Sequence, residues 1–201
     1  MFHSEHKQDS WLYENVFKDK RGGVFVEFGA IDGLITSNTL FFEEEMDWTG
    51  LCIEPIPEMF QQLTKNRKCI CENYAVSDDF GEVEFMVYDD VVGWSGISDS
   101  IEPEHFERIE LKGGEQRTIM VPTMPLNALL SMHGLQNVDY MTIDVEGHED
   151  RIVRSIDFEG FNIKVLDIEN NFNNYDVKDY LKGLGYRYLK RLGVNDLFIK
   201  E

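Results

Sequence analysis

The sequence predicts an α/β fold of three layers. A mostly parallel sheet lies in the middle, with one antiparallel strand near the C-terminus. Three observations carry this expectation. Short apolar runs alternate with segments of helical spacing along the whole chain, the pattern of strands joined by crossover helices. The first run, Val24 to Phe28, empties into a glycine turn and then a helix. The last two runs, Tyr186 to Leu189 and Asp196 to Ile199, are joined by a turn at Leu192 to Asn195, too short for a parallel crossover. The 201 residues fit one domain, 1–201, long enough to bury a core.

In chain order, Asp9 to Phe17 places Trp11, Leu12, Val16 and Phe17 at helical spacing behind an Asp9 or Ser10 cap. This makes 1–20 an N-terminal helical segment over the nucleotide pocket or the sheet edge. A helix follows the first strand to about Asp47. The second strand, within Gly50 to Pro55, ends in Glu54, and Pro57 starts a helix to about Asn66. Cys69 to Val76 reads as one third strand. Gly81 to Tyr88 alternates and suggests an antiparallel strand, with Thr118 to Pro122 as its return. Between them, 89–117 is either a substrate lid or a disordered acidic loop. Pro125 to Met132 is a short helix and Val138 to Ile143 the fourth parallel strand. A helix carries Ile152, Val153 and Ile156. Ile163 to Ile168 is the fifth strand, and Asp176 to Leu184 a helix stopped by Gly185.

Composition narrows the function. Hydrophobic content of 42% and charged content of 28% are those of a globular protein. No run reaches the length of a membrane helix, and the N-terminus shows no signal-peptide pattern. Three cysteines, Cys52, Cys69 and Cys71, read as buried free thiols, so a cytoplasmic location is expected. The formal charge is −19, and from Glu72 to Glu110 twelve acids face one base, Arg108. With no basic stripe, nucleic acid is not an expected partner. The acidity serves either solubility or a lid favouring neutral or cationic substrates.

The chemistry should sit beyond the carboxyl ends of the strands. Gly29 and Gly33 let backbone approach a ligand, with Asp32 and Asn38 beside them. Glu54 stands where an acid commonly binds ribose hydroxyls. The loop Glu27–Gly33 lacks the GxGxxG spacing of a nicotinamide dehydrogenase, which argues against that class. Asp144, Glu169 and Asn170 end the fourth and fifth parallel strands, and His148 follows at a helix start, where a lowered pKa would let it accept a proton.

These segments, taken in order, resemble the FkbM family of methyltransferases: Gly23 to Gly33, Ser37-Asn38-Thr39, Ile53-Glu54-Pro55, Ala75 to Asp78, and Ile143 to Glu149. The resemblance runs from Gln8 to Asp196. It implies a class I methyltransferase-like (Rossmann-like) fold. It also implies an S-adenosylmethionine-dependent O-methyltransferase acting on a small-molecule hydroxyl, of a sugar or natural product. The alternatives are N-methylation of a small amine, or a cofactor-binding protein without catalysis. By the resemblance, Glu27, Gly29 and Gly33 surround the methionine part of the cofactor, with Asp32 and Asn38 nearby. Glu54 binds the ribose, and Ala75, Val76 and Ser77 line the adenine. Asp144 and His148 are the expected catalytic residues. Asp144, Glu169 and Asn170 are similar to the magnesium site of catechol O-methyltransferase, which makes Mg²⁺ an optional second cofactor. A homodimer is admitted. Relative to many members the chain is short at its N-terminus, implying that a substrate-recognition extension is missing.

Overall fold

Alternation along each central strand divides the core in two. In β1 (Val24–Phe28), Val26 and Phe28 face one layer and Phe25 the other. In β8 (Asn137–Ile143), Met141 and Ile143 join the first and Tyr140 the second. The first layer is closed by α4 (Leu126–Met132), α5 (Glu149–Ser155) and α6 (Lys178–Gly183) through Leu129, Leu130, Ile152, Val153 and Leu181. The second is closed by α1 (Gln8–Leu12), α2 (Leu40–Met46) and α3 (Pro57–Asn66) through Leu12, Phe41, Phe42 and Leu63. Helices therefore cover both faces of the sheet. The computed structural model describes residues 1–101, 115–171 and 177–201.

The main sheet has seven strands in the order β10-β11-β9-β8-β1-β2-β3. Its other members are β2 (Thr49–Ile53), β3 (Ile70–Glu72), β9 (Asn162–Glu169), β10 (Tyr186–Leu192) and β11 (Asn195–Lys200). β10 pairs antiparallel with β11, as the short final turn requires, and β11 runs antiparallel to β9. The chain winds outward from β1 in one direction through β2 and in the other through β8. That reversal of strand order opens a crevice at the carboxyl ends of β1 and β8.

The expected third strand is in fact two. The Asn73 side chain donates to the carbonyls of Glu54 (2.7 Å) and Pro55 (3.0 Å), pinning the chain beside the end of β2. Beyond this pin, β4 (Ala75–Ser77) leaves the main sheet and pairs in parallel with β7 (Gln116–Pro125). β7 also pairs antiparallel with β5 (Gly81–Tyr88), which carries β6 (Gly96–Ile97), completing a second, four-stranded sheet. The N-terminal helix ends at Leu12 and continues to Phe17 as a single π-helical turn. The middle of the expected 89–117 segment and the expected helix start at Asp176 lie outside the described residues. No described helix is long and apolar enough to cross a membrane.

Candidate active site

A cavity of about 570 Å³ lies over the carboxyl ends of β1, β2, β8 and β9. Glycine chemistry creates it. Gly29 has φ +62°, and a Cβ there would stand 2.4 Å from the Asp144 carbonyl oxygen. Only glycine lets the tip of β1 pass that close to the tip of β8. Ile31, Thr36 and Glu146 also line the cavity, and all three hold left-handed backbone, φ +51°, +50° and +57°. Such strain in non-glycine residues concentrates at ligand-binding loops.

One end of the cavity is apolar, walled by Ile31, Ile56, Tyr74, Ala75, Val76 and Phe85. Ala75 and Val76, the positions expected at the adenine, are among these residues. Ser77 does not line it, and its hydroxyl donates to Asp78. Glu54 stands beside the apolar end and is buried. Its carboxylate accepts the N–H groups of Ile31 (2.9 Å) and Ile56 (2.8 Å). Burial outweighs these two bonds and pushes the carboxyl up to about 8.

The loop after β1 is held from behind. Glu27 lines the cavity, but its carboxylate accepts from the Asn38 N–H (2.7 Å), the Ser37 and Thr39 hydroxyls and Arg67 Nη1 (3.1 Å). Arg67, which the sequence reading passed over, is fully buried and also donates to Glu43 and the Gly33 carbonyl. Gly33 serves this arginine, since a Cβ there would meet Arg67 Cγ at 2.6 Å, and it does not line the cavity. Asp32 is also outside the cavity and accepts the N–H groups of Leu34 and Ile35. Asn38 does reach the cavity. Its amide donates to Thr142 Oγ1 (3.1 Å), and its buried Oδ1 has no partner among the described residues.

The opposite end is acidic. Asp144, Glu146 and Glu169 bring one carboxylate oxygen each to within 4.8 Å of one another. Asp144 and Glu169 hydrogen-bond each other, an arrangement that needs a shared proton. Burial, together with the Glu149 charge, pushes Asp144 up to about 7. Burial and the neighbouring acids push Glu169 upward too. Of the expected Asp144–Glu169–Asn170 grouping, the Asn170 amide donates to Asp196 Oδ2 (3.2 Å) and its N–H bonds the Val194 carbonyl, while Glu146 stands with the two acids.

His148 is also displaced from its expected position. It does not line the cavity, and its Nδ1 lies 2.7 Å from Ser100 Oγ. It stands at the N-cap of α5, and its pKa is lowered by burial first and the Arg151 charge second. The segment it touches is nonetheless relevant, because residues 90–95 and Ile97 form one wall of the cavity.

A model of the methyltransferase FkbM domain matches residues 27–188. Comparison with curated proteins found no match. Among solved structures, the methyltransferase FkbM from Methylobacillus flagellatus KT superposes with TM-score 0.58 at 12% identity. The match covers 98% of this chain and 48% of that one, so the chain spans about half the length of that relative. The TrmK of M. capricolum, in complex with S-adenosyl-homocysteine, matches at TM-score 0.46 and 10% identity over 99% of this chain and 68% of its own.

Proposed function

This chain belongs to the FkbM methyltransferase domain family, and on that premise we propose that it transfers a methyl group from S-adenosylmethionine to a hydroxyl of a small molecule, a sugar unit or natural product. One observation carries the reading. A single cavity joins an apolar slot and a buried acid, Glu54, to the glycine turn at Gly29 and then to the carboxyl group of Asp144. The chain's own groups fit the cofactor: Glu54 for the ribose, Ala75 and Val76 for the adenine, and Gly29 with Asn38 for the methionine part. The unpartnered Asn38 Oδ1 is a ready acceptor for a donor on that part of the ligand. Glu27, Asp32 and Gly33 act one step back, by holding the loop in shape.

When bound, the cofactor supplies a methyl group on a positively charged sulfur. The protein's task is then to align the acceptor and remove its proton. Asp144 faces the cavity and, held near 7, is ionised in a large enough share of molecules near neutrality to take that proton. Its hydrogen bond to Glu169 offers the proton a second site. His148 acts through Ser100 and the wall 90–97.

A second reading has one observation in its favour. The close oxygens of Asp144, Glu146 and Glu169 suit a hard divalent cation such as Mg²⁺. Calorimetric titration with S-adenosylhomocysteine, with and without Mg²⁺, tests both. Micromolar binding supports the cofactor class, and its absence in folded, cofactor-free protein removes it. Binding and turnover indifferent to chelator remove the cation.

A further inference from the structure

The N-terminal segment reaches the cavity and is tied in place there. Asp9, in the first turn of α1, is fully buried and accepts the N–H groups of His3 (2.6 Å) and Ser4 (3.2 Å). The His6 N–H donates to Gln8 Oε1 (2.9 Å), closing the turn into the helix. On one side the segment packs on α2. Phe2 meets Phe41 there with ring centroids 4.4 Å apart, and His3 Nε2 lies 4.0 Å from Glu44. On the other side the His6 ring lies against Gly193, in the turn between β10 and β11, where a Cβ would collide with it. The segment thus spans from α2, which begins two residues after Asn38, to the turn whose Val194 carbonyl holds Asn170 beyond the end of β9. Between these supports Glu5 and His6 line the cavity, in company with Asn38, Asp144 and Val194. Asp144 is raised chiefly by burial, yet the Glu5 charge contributes too, which sets the segment at the Asp144 end and away from the apolar slot.

We infer that His6 is a cofactor-binding residue that holds the carboxylate of the methionine part. The inference rests on the methyltransferase reading above. The methionine part carries an ammonium and a carboxylate on one carbon, and the two need partners of opposite hydrogen-bonding sense. Asn38 Oδ1 suits the ammonium. An imidazole donates through a ring N–H and adds charge when protonated, so His6 suits the carboxylate. Contact with Gly193 fixes the ring, and the Asp9 and Gln8 bonds fix the backbone that carries it. The group is therefore ordered before the ligand arrives, which lowers the entropy cost of binding. Glu5 is exposed at the rim, where water and salt screen its charge.

The test is calorimetric titration with S-adenosylhomocysteine and with 5′-methylthioadenosine, which keeps the adenosine and the sulfur but lacks the amino acid. His6→Ala should weaken S-adenosylhomocysteine about tenfold and leave 5′-methylthioadenosine unchanged. Tenfold is the low end for a hydrogen bond to a charged group, as suits a ring that is only half-buried. His6→Gln, which keeps a donor, should recover part of the loss. Gly193→Ala, which pushes the ring aside without removing it, should reproduce the pattern of His6→Ala. Thermal unfolding checks that each variant is folded. Unchanged S-adenosylhomocysteine affinity in His6→Ala, or an equal loss for both ligands, overturns the inference and leaves the cofactor assignment standing. Failure of both ligands to bind the unaltered protein overturns both.

Discussion

The Glu54 carboxyl is the most informative place to perturb, because one change reads out in two ways. Replacement by Gln keeps the size and removes the charge. Hydrogen bonds to a charged group contribute about 1.5–3 kcal/mol, so affinity for S-adenosylhomocysteine should fall about 10- to 150-fold if the ribose hydroxyls donate to this carboxylate. Burial holds the carboxyl at about 8, while the ordinary value is 4.5. Ribose hydroxyls prefer the ionised acid, so binding must pull the proton off below pH 8. Affinity should therefore rise with pH, by about 50-fold between pH 6 and pH 8, and level off above 8. Glu54→Gln should show no such rise. Stability carries the opposite sign. A group raised in the folded state supports folding fully below 4.5 and loses that support as pH rises through 8. The loss is about 5 kcal/mol at most. Calorimetry at pH 6, 7, 8 and 9, with denaturant unfolding at the same values, measures both. A Glu54→Gln protein with unchanged affinity, or a wild-type affinity flat across this range, refutes the ribose role.

Two further outcomes separate roles that share one region. Arg67→Met should destabilise the fold by about 3–5 kcal/mol, because it strands the buried Glu27 and Glu43 carboxylates. Thermal unfolding would show this as a drop of about 10 °C or more, and a loss under about 1 kcal/mol would make the network marginal. Asp144→Asn should lower turnover by at least about 100-fold with cofactor affinity within a few-fold of normal, whereas His148→Gln should cost under about tenfold. Single-turnover methyl transfer measures the first and titration the second. A larger loss at His148 than at Asp144 would return the base role to the histidine.

Local rules made most of the fold legible. Apolar runs, capping prolines and the short last turn fixed the parallel strands, the helix Pro57–Asn66 and the single antiparallel member β11. The split of the third strand was not legible. Cys69 to Val76 is continuous in composition, and the break depends on Asn73 reaching carbonyls of a different strand end. Arg67 was invisible for the same reason. An isolated arginine at a helix end reads as solvated, and only closure of the loop at 33–39 over it makes it a buried hub.

The acidic group shows where the sequence held more than was taken from it. Asp144 and Glu146 both follow β8, and Glu146, on left-handed backbone, brings a carboxylate oxygen close to that of Asp144. Glu169 and Asn170 are consecutive, so extended geometry sends them to opposite sides. β9 ends at Glu169, yet the N–H of Asn170 still bonds the Val194 carbonyl beside β11, so the alternation persists one residue further. Glu169 therefore meets Asp144, and Asn170 meets Asp196. Parity sets Asn170 apart from Glu169, whereas the place of Glu146 depends on a left-handed turn that residue spacing does not announce.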